Sequence, residues 1–395
     1  MDGPGISTGA IGRFEADALP AAAGFAAFRR AALDPAGTDC RFGHAPDRLV
    51  DVVPHGLIEG VTVFGEGMPA IAALRDNPVH RLAGVSSVLL NDAVLAPDSM
   101  AVIDSHRRFF GPSVDNLAVW NHHLPTVDRA FVDVAGGWSL REQVDDSADD
   151  AVIALPVGGV GSVNYGHFLY DGLPAVLLHR QLLGPRAVVV GRPLLGWQAE
   201  VLDGLGLLGG YRAIERPTRF RKLVTSTMVS WTVSYPNRFV RAAFDHLRFR
   251  FGGGSDQGNR LIIVRDEPGN RRVMVNRAEI LAIAAAFGFE PVRPAGLSVA
   301  AQVRRFAGAR CVIGESGAGL ANLGFCDPGA KVLEIQPACF SDGWTRAACH
   351  LLGLRWQVFF ATCRTQPDHA AAGAFEYWVD PLAFRTALAR VFGAP

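Results

Sequence analysis

The fold is decided by the stretch Cys311-Val312-Ile313-Gly314-Glu315-Ser316-Gly317-Ala318-Gly319-Leu320-Ala321-Asn322, where a short apolar run stops at a glycine and continues in small residues. This pattern predicts a buried strand, a tight turn and a helix. The first N–H groups of a helix have no intrahelical partner, and together with the helix dipole they attract phosphate. The stretch therefore predicts a phosphate-binding loop in an α/β fold.

A turn and a second apolar run follow this loop. The turn is predicted at Asp327-Pro328-Gly329, and the strand at residues 332–335 carries Glu334 near its end. An acid at the end of a buried strand commonly binds the hydroxyl pair of a ribose. Phosphate and ribose together indicate a nucleotide ligand.

Apolar runs and helical periods alternate from residue 151 onward, which is typical of parallel α/β sheets. The first series predicts strands at residues 151–155, 187–190 and 222–227, with helices at about 165–182 and 197–205. The second series predicts strands at 261–264, 290–293, 311–313, 332–335 and 356–360, with helices at 237–250, 277–287, 299–306, 345–352 and 381–392. The five strands of the second series describe one complete doubly wound domain.

The two series predict an α/β fold with two Rossmann-like domains facing a cleft, a layout that the GT-B fold shares with other two-domain arrangements. The N-terminal lobe is predicted at residues 1–235, with a strand- and loop-rich part at 1–150 and an α/β part at 151–235. The C-terminal α/β domain is predicted at 236–380 and a terminal helix at 381–395.

Charge and hydropathy exclude several classes of protein. Lys plus Arg and Asp plus Glu both number 38, so the net charge is zero and nucleic acid is not predicted as a partner. The N-terminus lacks the pattern of a secretory signal, and no run of about 18 apolar residues predicts a spanning helix. We therefore expect a cytoplasmic protein of undetermined oligomeric state. The short apolar segment at residues 19–30 predicts a packed surface helix, with peripheral membrane contact as the alternative.

The six cysteines show neither a Cys-x-x-Cys pair nor the Cys/His spacing of a zinc site. This pattern predicts reduced and mostly buried thiols, as in cytosolic proteins.

A histidine and a carboxylate are spaced to meet on one helix. Asn164 is predicted to cap a helix that begins at Tyr165, which places His167 and Asp171 one turn apart on the same face. Such a pair can orient the imidazole and raise its basicity, as a general base requires. A histidine that only hydrogen-bonds within the helix terminus has the same spacing, so both interpretations stay open.

A group of basic residues follows the strand predicted at residues 261–264. Arg265 lies at the strand's C-terminal end, where open α/β sheets bind ligands, and a guanidinium there can bind a diphosphate in fork geometry. Arg272 comes next. Asn276 and Glu279 are predicted to form a capping box, an arrangement that is structural by itself.

Taken in order, these motifs resemble the family 61 glycosyltransferases. The resemblance covers residues 151–335 and lies in Asn164-Tyr165-Gly166-His167-Phe168-Leu169-Tyr170-Asp171-Gly172-Leu173-Pro174, Arg265, Arg272, Asn276, Glu279, Gly288-Phe289, the loop at 314–322, residues 327–329 and Glu334. Each motif is weak alone, whereas the ordered set is fairly specific.

The resemblance implies an inverting GT-B hexosyl- or pentosyltransferase that needs no metal or other cofactor and acts in bacterial surface polysaccharide synthesis, such as capsule. Its partners would be a nucleotide-sugar donor and a glycan or lipid-linked acceptor. His167 and Asp171 would be catalytic, either being the base, and Asn164 and Tyr170 would lie on the acceptor side. The nucleotide-sugar-binding residues would be Arg265, Arg272, Asn276, Glu279, Gly314, Ser316, Gly317, Ala318, Gly319, Leu320 and Glu334.

One residue departs from the pattern of this family. Many members have His-Gly-Ala where this chain has Ser316-Gly317-Ala318. A serine hydroxyl can still donate to a phosphate oxygen, but it cannot carry a positive charge. The departure puts any acid role at this position in doubt.

Three other functions compete with glycosyl transfer. An α/β-hydrolase would use Ser316 as nucleophile with Asp342 and then His350 or His369, although Ala318 stands where its elbow motif needs glycine. A Rossmann oxidoreductase needs Gly-x-Gly-x-x-Gly, whereas the chain has Gly-x-x-Gly-x-Gly. The third alternative is a non-catalytic module that binds sugar nucleotides or glycans.

Overall fold

The structure is a computed structural model that describes residues 10–44, 63–65, 85–115, 117, 123–141, 143–147, 152–159, 162–229, 236–252, 258–265, 269–340, 343–365 and 374–394. The chain divides into two compact units. Unit 1 contains Met1–Pro46 and Ala83–Val233, and unit 2 contains Asp47–Leu82 and Ser234–Pro395. The described segment Val63–Gly65 belongs to unit 2, although it lies within residues 1–235, which are predicted as the N-terminal lobe.

Twenty strands are numbered in chain order over the described residues. They are β1 (Gly12–Phe14), β2 (Cys40–Gly43), β3 (Val63–Gly65), β4 (Ser86–Leu95), β5 (Val102–Ile103), β6 (Arg108–Phe110), β7 (Phe131–Val134), β8 (Gly137–Leu140), β9 (Asp145–Asp146), β10 (Ile153–Pro156), β11 (Ala187–Gly191), β12 (Arg212–Ala213), β13 (Thr218–Ser226), β14 (Asn259–Ile263), β15 (Arg272–Met274), β16 (Glu290–Val292), β17 (Ala309–Glu315), β18 (Lys331–Pro337), β19 (Arg355–Cys363) and β20 (Phe375–Trp378).

The α-helices of the same residues are α1 (Phe25–Leu33), α2 (Leu124–Val127), α3 (Tyr165–His167), α4 (Leu173–Leu183), α5 (Gly196–Gly204), α6 (Arg238–Phe251), α7 (Arg277–Ala286), α8 (Val299–Ala307), α9 (Trp344–Leu352) and α10 (Pro381–Phe392). A π-helical turn, Phe168–Gly172, joins α3 to α4. Short 3-10 helices lie at Ala16–Ala18, Gly111–Ser113, Gly184–Arg186, Leu208–Gly210, Thr227–Val229, Pro294–Gly296 and Ala318–Phe325. No helix among the described residues is long and apolar enough to cross a membrane.

Unit 1 is built on a mixed sheet with the strand order β1-β6-β5-β4-β13-β10-β11-β12. From β13 to β12 the neighbours run parallel, as the alternating series predicts. On its other side β13 pairs with β4 antiparallel over eight residue pairs. The pairs β4–β5 and β5–β6 are also antiparallel, whereas β1 pairs with β6 in parallel, so the sheet is mixed. Leu90, Phe110 and Leu223 belong to a core cluster of this unit.

Unit 2 contains the predicted doubly wound domain. Its strands β16-β14-β17-β18-β19 are all parallel, and when only these five are numbered along the chain they have the order 2-1-3-4-5. In this topology the winding reverses between the first and third strands, β14 and β17. Ligands of such sheets bind in the crevice outside the carboxyl ends of those two strands. The crevice therefore lies beyond Ile263 and Glu315.

Further strands extend the sheet of unit 2. β3 adds parallel to β19, and β20 adds antiparallel to the end of β19, followed by β15. The predicted terminal helix α10 packs into the same core, which includes Phe64, Phe359 and Phe384.

A disulfide corrects the prediction of reduced cysteines. Cys339 and Cys363 are bonded, with their Cα atoms 6.0 Å apart. β18 and β19 pair in the register Pro337 to Ala361, and the same register carried two residues further places the two cysteines side by side. The bond joins residues 24 apart, and nothing in that spacing marks a pair. The described residues hold no group of three His, Cys, Asp or Glu side chains placed for a metal ion.

Candidate functional site

The structure brings Arg265 and the loop after β17 together at the crevice of unit 2. The Arg265 Nη1 donates a hydrogen bond to the carbonyl oxygen of Ser316 at 2.6 Å. A Cβ at Gly317 would overlap the guanidinium of Arg265, and the φ of Gly317, 149°, is open to glycine and rarely to other residues. The guanidinium therefore lies directly against the loop backbone.

The loop offers hydrogen-bond donors to a ligand. Ser316 is 4% exposed, and its Oγ has no hydrogen-bond partner among the described residues. A buried polar group without a hydrogen-bond partner lowers the stability of the fold by about 1–3 kcal/mol. The Ser316 hydroxyl is therefore available to donate a hydrogen bond to a ligand. The predicted helix begins at Ala318 and is a 3-10 helix, and its first N–H groups have no intrahelical partner. A hydroxyl, amides and a guanidinium together can bind an anion.

Other predicted residues of the loop serve packing. A Cβ at Gly314 would overlap Leu320, and one at Gly319 would lie 3.0 Å from the Ile263 Cγ2. Leu320 is fully buried, and its N–H is bonded to the carbonyl oxygen of Gly317 at 3.0 Å. These three residues hold the short helix against the sheet.

Glu334, the predicted ribose contact, is buried in the structure, and its ribose role stays a prediction. Glu334 is 0% exposed, and its carboxylate accepts hydrogen bonds from Thr345 Oγ1 at 3.1 Å and Trp356 Nε1 at 2.8 Å. The predicted strand stopped at residue 335, whereas β18 continues to Pro337. The acid consequently lies inside the strand and not at its end, with its carboxylate bonded to two buried side chains.

The predicted capping box at α7 is wrong. Asn276 precedes the helix, but its side chain makes no cap hydrogen bond. Its Oδ1 accepts from the Val379 N–H at 3.1 Å, and its Nδ2 donates to the Val379 carbonyl at 2.8 Å and to Glu279 at 3.2 Å. Asn276 and Glu279 thus connect α7 to the backbone after β20, because an asparagine amide pairs with main chain in both directions.

Arg272 is connected to Arg265 through a residue that the sequence analysis did not single out. The Nδ2 of Asn270 donates to the carbonyl oxygens of Arg265 at 2.6 Å and of Arg272 at 2.9 Å. The Arg272 guanidinium lies over the ring of Phe340, 3.9 Å from its centroid. The backbones of the two arginines are therefore adjacent.

A buried carboxylate between the phosphate loop and the arginines was also missed. Glu315 is 4% exposed and accepts from Arg277 Nε at 3.0 Å, Arg277 Nη2 at 2.9 Å and Tyr377 OH at 2.6 Å. It also accepts from the Arg265 N–H at 3.3 Å. Burial and the neighbouring Glu315 raise the pKa of Tyr377 well above its ordinary value. The sequence signal for this network is the position of Glu315, which lies between two small residues at the end of a buried strand.

A second cluster lies in unit 1, where the predicted cap and His–carboxylate contact are both present. Asn164 Oδ1 accepts from the N–H groups of Gly166 at 2.9 Å and His167 at 3.4 Å. His167 Nδ1 lies 2.7 Å from Asp171 Oδ2, with side-chain exposures of 14% and 1%. When Nδ1 carries the proton of this bond, Nε2 has the lone pair that can accept another proton.

Tyr170, predicted on the acceptor side, is fully buried, and its acceptor role stays a prediction. Asn164 is exposed at the start of the helix, where its amide oxygen is used by the cap.

The structure offers no support for a serine hydrolase. A nucleophilic serine needs a base within hydrogen-bond distance, and among the described residues no histidine bonds to Ser316 Oγ. Asp342 and His369, two members of the alternative triad, lie outside the described residues.

Comparison with protein families gives a match to Glycosyltransferase 61 over residues 165–333. The matched segment contains His167 and Asp171 of unit 1 and Arg265, Ser316 and Gly317 of unit 2. No curated protein matches the chain. Residues 165–333 are therefore similar to the glycosyltransferase 61 family, and this match supports a glycosyltransferase enzyme.

Proposed function

We propose that the protein is an inverting, metal-independent hexosyl- or pentosyltransferase of GT-B type. Its donor is a nucleotide sugar, its acceptor a glycan or lipid-linked glycan, and its setting the cytoplasmic side of bacterial surface polysaccharide synthesis. The family match supports sugar transfer, and the position of Arg265 and Ser316 at the switch point of unit 2 supports the donor assignment. That position is the observation that carries the proposal.

The donor's diphosphate gains negative charge as its bond to the sugar breaks, so the enzyme must place donors where that charge develops. In the proposed complex the Arg265 guanidinium, the Ser316 hydroxyl and the amides of the following turn receive the diphosphate. Arg272 supplies a second cation. Its backbone lies beside that of Arg265 because Asn270 donates to the carbonyl oxygens of both arginines. Two cations and fixed dipoles can stabilise the leaving group in the absence of a charged residue at position 316.

The acceptor hydroxyl needs a base, and the His167 and Asp171 pair supplies one. Asp171 is 1% exposed and His167 is 14% exposed, so His167 is the member that can reach a substrate. In one displacement step His167 Nε2 takes the hydroxyl proton, the hydroxyl oxygen bonds to the anomeric carbon, and the nucleoside diphosphate leaves with the bonding electrons. Attack opposite to the leaving group inverts the anomeric centre.

Thermal unfolding with added nucleotides tests the donor assignment, because a ligand of the native state raises its apparent stability. We expect one of UDP, GDP or CDP, and its sugar conjugate, to raise the unfolding temperature. At a ligand concentration of 100 times Kd the added stability is about 2.7 kcal/mol. Arg265→Ala should lose the effect, whereas Arg304→Ala, an exposed arginine of α8, should keep it. A wild-type response in Arg265→Ala, or no response to any nucleotide in the native chain, would remove the proposal.

A further inference from the structure

We infer that Asn270 and Glu315 are positioning residues that hold Arg265 in the orientation needed for a diphosphate. The inference rests on the proposed function, because it assigns Arg265 to that ligand. Neither residue contacts the diphosphate in this assignment; both act through the backbone of Arg265.

Asn270 fixes the chain on the carbonyl side of Arg265. Its single Nδ2 nitrogen serves the carbonyl oxygens of Arg265 and Arg272, and its Oδ1 accepts the N–H of Arg272 at 3.2 Å. Both ends of one short amide are therefore used, so the side chain has little freedom to rotate. This bridge sets the spacing between the two arginines at the crevice.

Glu315 fixes the chain on the amide side of Arg265. One carboxylate oxygen accepts the N–H of Arg265 at 3.3 Å, and both oxygens are held by Arg277 at 2.9 and 3.0 Å. The hydroxyl of Tyr377 adds a further bond at 2.6 Å. A buried carboxylate with four donors is stationary, and it anchors Arg265 to the end of β17, next to Ser316.

Three separate groups of Arg265 are thus held before any ligand arrives. Its N–H is bonded to Glu315, its carbonyl to Asn270, and its Nη1 to the Ser316 carbonyl. A side chain that is already ordered loses less entropy on binding, so preorganisation raises affinity. Loss of either anchor should weaken diphosphate binding without removing any group that touches the ligand.

Calorimetric titration of the full chain with inorganic pyrophosphate tests the inference. We expect Asn270→Ala and Glu315→Gln to weaken binding roughly 10- to 100-fold, because a small misplacement of a binding group has an effect of that size. Asn270→Asp should be as weak as Asn270→Ala, since it keeps the size of the side chain but loses the donor to both carbonyls.

Two control variants separate positioning from general instability. Asp128→Asn changes a buried carboxylate of unit 1 that accepts a hydrogen bond from Ser99, and Asn237→Ala removes the cap of α6. Both should lower the unfolding temperature and keep the wild-type affinity for pyrophosphate. Affinities within twofold of wild type for Asn270→Ala and Glu315→Gln would overturn the inference. An equal loss of affinity in the two controls would also overturn it.

Failure of the native chain to bind either pyrophosphate or a nucleoside diphosphate would instead overturn the proposed function.

Discussion

At the scale of single residues, the bond between His167 and Asp171 makes a prediction about tautomers. The carboxylate holds Nδ1 at 2.7 Å and so leaves Nε2 as the basic nitrogen. In the Asp171→Asn variant the side-chain amide would donate to Nδ1, so the imidazole proton would move to Nε2. The change would remove the proposed base and keep the shape of the site. We expect both His167→Ala and Asp171→Asn to lower sugar transfer about 10²- to 10⁴-fold, measured as release of the nucleoside diphosphate.

A matched histidine of unit 1 provides the control for that experiment. His123 lies 2.8 Å from Asp133 in an exposed pair of the same chemistry. His123→Ala should keep wild-type turnover, and all three variants should keep wild-type nucleotide affinity. Unchanged turnover in His167→Ala would contradict the assignment of the base.

A buried histidine outside the proposed mechanism predicts the acid sensitivity of the fold. His179 is 1% exposed, and Ser87 Oγ lies 2.8 Å from its Nε2 and 2.8 Å from His44 Nε2. Burial, followed by the charge of His44, lowers the pKa of His179 to about 3. Below about pH 6.5 the unfolded chain binds a proton that the folded chain does not bind, so the free energy of unfolding falls until about pH 3.

This single group can lower the free energy of unfolding by up to about 1.4 kcal/mol per pH unit in that window. We expect His179→Gln to be less stable than wild type at pH 7 but to lose less stability between pH 6.5 and pH 4. Urea unfolding at several pH values measures both slopes. His106→Gln, a change at an exposed histidine, should reproduce the wild-type slope, and an identical slope in His179→Gln would refute the prediction.

At the scale of elements, periodicity predicts where strands and helices occur but not how they pair. The five parallel strands of unit 2 follow from their apolar runs, whereas their order in the sheet depends on contacts between distant segments. The strand end after Glu334 was placed two residues early, so the glutamate lies inside β18 rather than at its end. Glu315 was missed because its role depends on hydrogen bonds from Arg277 and Tyr377. These residues are distant in sequence and reach Glu315 only in the folded sheet.

The pairing of β18 with β19 predicts the thiol content of the protein. Its register brings Cys339 and Cys363 together, and the disulfide leaves four free cysteines, namely Cys40, Cys311, Cys326 and Cys349. We expect a thiol reagent to find four thiols per denatured chain before reduction and six after it. Closing a loop of 24 residues adds stability on the order of 3 kcal/mol, so reduction should lower the unfolding temperature.

Thiol content also bears on where the protein works, because disulfides are rare in cytosolic proteins. Six thiols in chain purified without reductant would contradict the disulfide and fit a reducing compartment. Cys339→Ser with Cys363→Ser should unfold at the temperature of the reduced wild type, which separates loss of the bond from other effects of the reductant.

At the scale of the whole molecule, the two units do not correspond to two continuous halves of the chain. The chain passes from one unit to the other after Pro46, Leu82 and Val233. Within unit 2, Val63–Gly65 pairs with Val358–Phe360, nearly 300 residues further along. No local sequence pattern predicts a pairing between strands so far apart in the chain. Residues 1–150 were therefore predicted as one continuous part of the N-terminal lobe.

This topology predicts that a substitution near the N-terminus will loosen the C-terminal sheet. Phe64 is 8% exposed and packs in the core of unit 2, where removing a phenylalanine ring costs about 3–5 kcal/mol. In hydrogen exchange measured by mass spectrometry, Phe64→Ala should speed exchange in peptides of β18 and β19 and leave β4 and β13 at the wild-type rate. Phe220→Ala, in the core of unit 1, should give the opposite pattern. Faster exchange in β4 and β13 for Phe64→Ala would show that this strand supports unit 1 instead, and the division of the chain would have to be redrawn.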